Sequence, residues 1–122
     1  ESKFAWAELL RQQDRRADAV KLYRELAADV RSKEGSAAAY YVLEDIFEKG
    51  DMDKTEKAIF AYSEREPQAY WLAKAFILLG DVYVRKGDNF QARATYQSVA
   101  DGYSPADDGI VDEAKERIAK LN

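Results

Sequence analysis

Apolar side chains recur along this chain at intervals of three and four residues, the spacing of one face of an α-helix. No stretch alternates with the period of two that a half-buried strand requires. Glycine and proline mostly interrupt the pattern, so they mark the connections between helices. We therefore predict an all-α fold with seven helices, over residues 2–13, 16–32, 36–49, 53–64, 68–86, 88–102 and 110–121.

Three pairs of predicted helices resemble one another in sequence. The first helices of the pairs contain KFAWAELLRQQD (3–14), AYYVLEDIFEKG (39–50) and FILLGDVYVRKG (76–87). The second helices contain AVKLYRELA (19–27), TEKAIFAYS (55–63) and ARATYQSVA (92–100). A pair of helices that recurs at a period of about 36 residues predicts a stacked solenoid, because each unit buries its apolar face against the next.

The third pair resembles a tetratricopeptide repeat in Leu79, Gly80, Tyr83, Gly87, Ala92, Tyr96, Ala100 and Pro105. The first pair keeps Ala7, Leu10, Ala19, Tyr23 and Ala27, with Asp14 where a turn glycine is usual. The second pair keeps Gly50, with Leu43 and Thr55 in place of small residues. The resemblance implies one domain over residues 1–122, with repeats at 1–34, 35–67 and 68–106 in a right-handed solenoid and a capping helix at 108–122.

Residues 70–103 are similar more narrowly to the C-terminal repeats of envelope-associated bacterial tetratricopeptide proteins. This resemblance favours the periplasm or cell envelope of a Gram-negative bacterium over the cytoplasm. The chain begins at Glu1 already in helical pattern, with no initiator methionine and no signal peptide. We therefore expect it to be a fragment of a longer protein.

The composition argues against several classes of function. Cysteine and histidine are both absent, which excludes disulfides, zinc sites of the Cys/His type and catalysis by an imidazole base. The net charge is −4 and the basic residues alternate with acids, so we expect no nucleic-acid partner. No apolar run reaches the roughly 18 residues of a membrane span, so we expect no membrane insertion. The acidic residues fall on solvated helix faces, and we expect no cofactor, no metal and no enzymatic activity.

Several conspicuous residues have structural roles in this interpretation. Gly80 lies inside an apolar helix, where we expect it to allow a close crossing with the helix that contains Ala92 and Tyr96. The acids in GDMD and GDNF are expected to cap the helices that follow them. We expect a core that contains Tyr23, Phe76, Tyr83, Tyr96 and Trp6, whereas Trp71 and Tyr70 flank a helix start and are candidates for exposure.

Candidate partner-binding residues lie one helical turn away from the apolar positions of the first helices. They are Tyr40, Glu44, Phe47, Lys74, Ile77, Asp81, Val84 and Arg85, with Phe4, Glu8 and Arg11 at the equivalent positions of the first pair. Their large apolar members predict an apolar patch rimmed by charge, as a peptide groove requires. The resemblance implies that this surface is the concave face, which binds a peptide or helix of a partner protein.

Relatives that bind a partner's C-terminal carboxylate use lysine, asparagine and arginine on this face. Here the corresponding polar positions are Glu8, Glu44 and Asp81, which would repel a carboxylate. We therefore expect the partner to present an apolar or basic segment. One alternative is a structural scaffold or oligomerisation segment that stacks through its N-terminal edge on further repeats or on another copy. A more distant alternative is an enzyme that uses paired carboxylates.

Overall fold

Seven α-helices and no strand make up residues 2–121, the part of the chain that this computed structural model describes. They are α1 (Ser2–Gln12), α2 (Arg16–Leu26), α3 (Lys33–Glu48), α4 (Met52–Glu64), α5 (Ala69–Arg85), α6 (Asn89–Gly102) and α7 (Ile110–Ala119). The predicted all-α class is confirmed. Glu1, on which the expectation of a longer protein rests, lies outside the described residues.

Aspartate side chains cap two helices where the sequence places an acid after a glycine. Asp51 accepts a hydrogen bond from the backbone N–H of Lys54 at 3.0 Å. Asp88 accepts one from the backbone N–H of Gln91, also at 3.0 Å. Each carboxylate satisfies a donor that has no partner within its own helix, and its charge complements the positive end of the helix dipole. The predicted caps of α4 and α6 are confirmed.

The predicted end of α2 is wrong, because the helix ends at Leu26 rather than at residue 32. Val30 still reaches the core, where it is 4% exposed, so the apolar spacing continues beyond the point at which the backbone leaves the helix. The Nη2 group of Arg65 donates hydrogen bonds to the carbonyls of Ala27 at 2.8 Å and Ala28 at 3.3 Å. These bonds satisfy acceptors that the end of α2 leaves without helical partners.

Gly35 lies inside the first turn of α3 rather than in a break between helices. Helix α3 begins after Ser32, whose hydroxyl accepts a hydrogen bond from the N–H of Gly35 at 2.9 Å. A Cβ atom at Gly35 would lie 1.6 Å from the carbonyl oxygen of Asp29. Only glycine therefore allows the α2–α3 connection to fold back against the start of α3.

The connection between α2 and α3 also contacts the connection between α4 and α5. Gln68 donates a hydrogen bond from Nε2 to the carbonyl of Arg31 at 3.3 Å, and Arg31 forms an exposed ion pair with Glu66 at 2.7 Å. The hydroxyl of buried Ser36 accepts from the N–H of Gln68 at 2.9 Å, and its carbonyl accepts from the hydroxyl of Tyr62 at 2.8 Å. The α2–α3 and α4–α5 connections are thus tied to one another by polar contacts.

Helix contacts follow the order of the chain. Each helix packs against the next, and α5 packs in addition against α3 and α7. Buried side chains form two apolar clusters, a larger one that extends from α3 to α7 and a smaller one shared by α1, α2 and α3. Tyr41 is partly buried against both clusters. It therefore joins the first pair of helices to the rest of the molecule.

The aromatic core is mostly the predicted one. Tyr23, Tyr83 and Tyr96 are buried, and Phe76 is partly buried against the larger cluster. The prediction that Trp6 is a core residue is wrong, since its side chain is 52% exposed. Helix α1 instead buries its smaller apolar residues, and Trp6 lies with the exposed Leu9 on a face that has no apolar covering among the described residues.

Gly80 lies where α5 and α6 cross. A Cβ atom at this position would be 2.2 Å from Cε1 of Tyr96, which is far inside the van der Waals contact distance. The Tyr96 ring has little freedom to move aside, because it is 1% exposed and its hydroxyl donates a hydrogen bond to Asp81. The predicted close approach at Gly80 is confirmed.

Replacement of Gly80 by alanine should destabilise the protein although alanine is the better helix former by about 1 kcal/mol. We expect the free energy of unfolding to fall by about 1–3 kcal/mol, because the new methyl group displaces the buried ring of Tyr96. Urea denaturation followed by circular dichroism measures this change. The matched control is Gly102→Ala in the last turn of α6, where a Cβ atom has no neighbour within 4 Å. This control should be neutral or slightly stabilising, and equal effects of the two substitutions would contradict the steric explanation.

Candidate functional site

Six aromatic side chains from four helices form one connected cluster. They are Phe4 on α1, Tyr23 on α2, Tyr40 and Tyr41 on α3, and Tyr70 and Trp71 on α5. The ring centroids of Tyr23 and Tyr41 are 5.0 Å apart, and those of Tyr41 and Trp71 are 5.7 Å apart with the rings nearly edge to face. Aromatic pairs are favourable at these distances and angles, so the rings hold one another in position.

Three of these rings line a cavity between α1, α3 and α5, which we name the aromatic cavity. Its volume is about 320 Å³, and it is lined by Phe4, Glu8, Lys33, Glu34, Ala37, Tyr41 and Trp71. The three rings are half-buried, whereas Lys33 and Glu34 are exposed. The cavity therefore offers aromatic surface together with two carboxylates and one ammonium group.

Cationic side chains of the chain itself stack on rings along the same helices. The guanidinium carbon of Arg11 lies 4.4 Å from the ring centroid of Tyr41, and that of Arg85 lies 4.5 Å from the centroid of Phe47. The ammonium nitrogen of Lys74 is more distant, at 5.8 Å from the centroid of Tyr40. Cations are attracted to the negative faces of aromatic rings at these distances. The first helices therefore carry aromatic faces that bind cations.

The predicted apolar patch is not exposed at three of its four positions. Tyr40, Phe47 and Ile77 are 7%, 7% and 2% exposed and belong to the larger core cluster, whereas Val84 is 40% exposed. The expectation of an open apolar patch is therefore wrong. Its physical reason is that α5 packs between α3 and α7, so neighbouring helices cover the residues one turn away from the apolar positions.

The predicted polar residues are engaged within the chain. Lys74 pairs with Glu113 of α7 at 3.4 Å, and Asp81 pairs with Arg117 of α7 at 3.1 Å. Arg117 also binds Glu113 at 2.9 Å, which connects the two pairs into one ionic chain. Glu44 is only partly buried and lies 3.9 Å from Arg16, and Glu8 is bound by Arg11. Helix α7 thus occupies the space next to α5 that the sequence assigned to a partner.

Four of the predicted residues still share a surface cleft beside α7. The cleft has a volume of about 340 Å³ and is lined by Phe47, Asp81, Val84, Arg85, Tyr96, Arg117, Lys120 and Leu121. Val84 and Arg85 are its exposed members from the predicted set. The structure therefore brings four of the eight predicted residues together. In this cleft, however, the carboxylate of Asp81 is already paired with Arg117.

Sequence reasoning missed Tyr41, Lys33 and Glu34 as residues of an open cavity. Tyr41 follows Tyr40 directly, and only Tyr40 was assigned to the candidate surface. The signal that could have identified it is the pairing of adjacent tyrosines in α3 with adjacent aromatic residues at the start of α5, since neighbouring helices bring such pairs together. Trp71 was predicted as a candidate for exposure and is half-buried.

Residues 2–121 contain no group of three or more acidic side chains arranged to hold a metal ion. None of the helices in this range has the length and apolar character that a membrane span needs. Comparison of the chain with protein-family models, with curated proteins and with solved structures found no match.

The buried tyrosines should make stability depend on alkaline pH. Burial raises the pKa of Tyr41 from 10.0 to about 12, and burial raises the pKa of Tyr40 as well. A phenol whose pKa is higher in the folded state stabilises the fold fully below the unfolded pKa and loses this contribution as the pH rises. We expect the free energy of unfolding, measured by urea denaturation, to fall as the pH rises from 10 towards 12.

The variant Tyr41→Phe keeps the ring but removes one titrating hydroxyl, so its stability should fall less steeply over the same range. Absorbance of the tyrosinate form gives an independent titration of the folded protein. A free energy of unfolding that does not change between pH 10 and about 12 would contradict the assignment of neutral buried phenols.

Proposed function

We propose that the chain is a tetratricopeptide-like right-handed solenoid of three helix pairs, with α7 as its capping helix. Two observations support this architecture. Each helix packs against the next helix, and α5 also packs against α3 and α7. This is the contact pattern of a stacked array. Equivalent positions of the three pairs are also buried alike, and the turns between the paired helices have similar backbone angles.

Three sets of positions repeat with nearly the same spacing. The first set is buried where paired helices cross (Ala7, Leu43 and Gly80), and the second and third sets are buried in the second helices (Ala19, Thr55 and Ala92; Tyr23, Ile59 and Tyr96). The turns between paired helices repeat as well, because Asp14, Gly50 and Gly87 all have positive φ, at 63°, 95° and 82°. Such agreement favours a common unit structure over three unrelated helical hairpins.

We infer that this array is a protein-interaction module without enzymatic activity, and that a segment of a partner protein lies along α1, α3 and α5. One observation carries the proposal: half-buried aromatic rings open into the aromatic cavity between the first helices of successive pairs. Aromatic side chains in concave sites supply much of the binding energy of protein interfaces. The carboxylate of Glu8 in this cavity is held by Arg11, which favours binding over acid–base catalysis there.

The proposal moves the anchor of the partner away from the residues that the sequence favoured. Tyr40, Phe47 and Ile77 have too little exposed surface to contact a partner. Phe4, a sequence candidate from the first pair, keeps this role, and Tyr41 and Trp71 join it. Among the sequence candidates on α5, Val84 and Arg85 keep enough exposure to extend the contact towards α7.

Selection from a displayed library of random peptides tests this function. We expect peptides that bind the protein and lose at least about tenfold in affinity, or about 1.4 kcal/mol, on Phe4→Ala or Trp71→Ala. The matched control is Phe90→Ala, which removes a ring that is 84% exposed on α6. Circular dichroism confirms that each variant is folded. Selection of no peptide, or of peptides that respond equally to all three substitutions, would contradict binding in the aromatic cavity.

A second candidate function is self-association through α1, which the exposure of Trp6 at 52% and Leu9 at 41% favours. The two side chains are three residues apart and therefore lie on one face of the helix. If this face stacks on another copy, sedimentation velocity should detect dimers that disappear with Trp6→Ser or Leu9→Ser. Phe60→Ser, at a ring that is 44% exposed on α4, is the matched control and should leave the dimer intact. A wild-type protein that remains monomeric at high concentration excludes this candidate.

A further inference from the structure

We propose that the aromatic cavity binds the guanidinium group of an arginine side chain presented by the partner segment. The inference rests on the proposed function, because it assigns one side chain of the bound segment. It commits to one kind of occupant, an arginine in a polypeptide.

The lining of the cavity matches the chemistry of a guanidinium group. Phe4, Tyr41 and Trp71 supply three aromatic rings, and Glu8 and Glu34 supply two carboxylates within the same cavity. A planar cation stacks on aromatic faces and donates hydrogen bonds to carboxylates from its edge, so both kinds of group can be used at once. A neutral apolar side chain would use the rings but would leave the exposed carboxylate of Glu34 without a partner, since Glu8 is already bound by Arg11.

The chain already contains this arrangement beside the cavity. Arg11 lies 4.4 Å from the ring centroid of Tyr41, binds the carboxylate of Glu8, and donates a hydrogen bond from Nε to the hydroxyl of Tyr23 at 3.2 Å. Ring, carboxylate and guanidinium are therefore combined next to the cavity, because Tyr41 and Glu8, which bind Arg11, both line it. An incoming arginine would repeat the arrangement with the rings and the carboxylate that Arg11 does not use.

Arginine is favoured over lysine by the contacts that the chain makes with its own cations. The guanidinium carbons of Arg11 and Arg85 are 4.4 and 4.5 Å from ring centroids, whereas the ammonium nitrogen of Lys74 is 5.8 Å from its ring. Guanidinium is also the more weakly hydrated cation, so it loses less on entering a half-buried site. The cavity volume of about 320 Å³ lies at the small end of the range for ligand sites, which suits one side chain.

Two exposed residues at the rim have opposite effects on an incoming cation. Glu34 makes no ion pair with any residue in the range 2–121, so its carboxylate is open to a partner. Lys33 lies at the same rim, and its positive charge repels a cation that enters. Removal of Lys33 should therefore strengthen binding, and neutralisation of Glu34 should weaken it. A purely structural role of these exposed residues would not produce opposite changes.

The two tryptophans of the chain allow a direct test with a small probe. Trp71 lines the cavity, whereas Trp6 is 52% exposed on α1 and serves as the internal control. Acetyl-arginine-amide, titrated into the ¹⁵N-labelled protein, should shift the indole N–H resonance of Trp71 with a dissociation constant on the order of millimolar, as for a single side chain. The resonance of Trp6 should not move. The isosteric neutral probe acetyl-citrulline-amide should cause no saturable shift.

The rim variants sharpen this test. Lys33→Ala should lower the dissociation constant of acetyl-arginine-amide several-fold, and Glu34→Gln should raise it several-fold. Both positions are exposed, so the fold should be retained, and the shift of Trp71 in wild-type protein remains as the reference. Equal responses to arginine and citrulline, equal shifts of both indole resonances, or no effect of either rim substitution would overturn the proposal.

A peptide arm separates this inference from the proposed function. Peptides selected by the library should contain an arginine whose replacement by citrulline lowers affinity at least about tenfold. Peptides that depend on Trp71 but tolerate citrulline at every arginine would be consistent with the proposed interaction module and would overturn the arginine assignment. If acetyl-arginine-amide shifts the Trp71 resonance but the protein selects no peptide, the cation site is supported and its role in partner binding is overturned.

Discussion

The close approach of α5 and α6 at Gly80 determines where much of the remaining structure lies. Because the glycine has no side chain, the ring of Tyr96 occupies the space beside the α5 backbone and its hydroxyl reaches Asp81. Asp81 also accepts a hydrogen bond from Arg117 at 3.1 Å, so α7 is positioned through a residue whose own position depends on the crossing. The packing of α7 against α5 then leaves Ile77 only 2% exposed. The crossing at Gly80 is thus linked, through Asp81 and Arg117, to the position of α7.

Local physical chemistry made much of the fold predictable. The spacing of apolar residues gave the number and class of the helices, the acids before α4 and α6 gave two caps, and Gly80 gave a close crossing. The end of α2 was not predictable from spacing, because Val30 continues the apolar pattern in a segment that is no longer helical. The carbonyl of Ala27 at that end is bound by Arg65, a residue distant in sequence whose contact exists only in the folded protein.

The candidate site was less predictable for a related reason. Periodicity indicates which face of a helix is apolar, but it does not indicate which neighbouring helix covers that face. Tyr40 and Ile77 were assigned to an open surface because they lie off the main apolar stripe, yet α5 packs between α3 and α7. Tyr41 was missed although it contacts both apolar clusters and lines the aromatic cavity. Tyr41 lines this cavity because of the way α1, α3 and α5 are arranged, and the apolar pattern of any one helix does not predict that arrangement.

The polar contacts between successive connections have a mechanical consequence. Arg65 and Gln68 bind carbonyl groups of the α2–α3 connection, so the distance between this connection and the α4–α5 connection is held by hydrogen bonds. Bending of the helical array changes that distance, and it also changes the width of a cavity built from α1, α3 and α5. Two side chains outside the cavity therefore help to hold the spacing of the helices that line it.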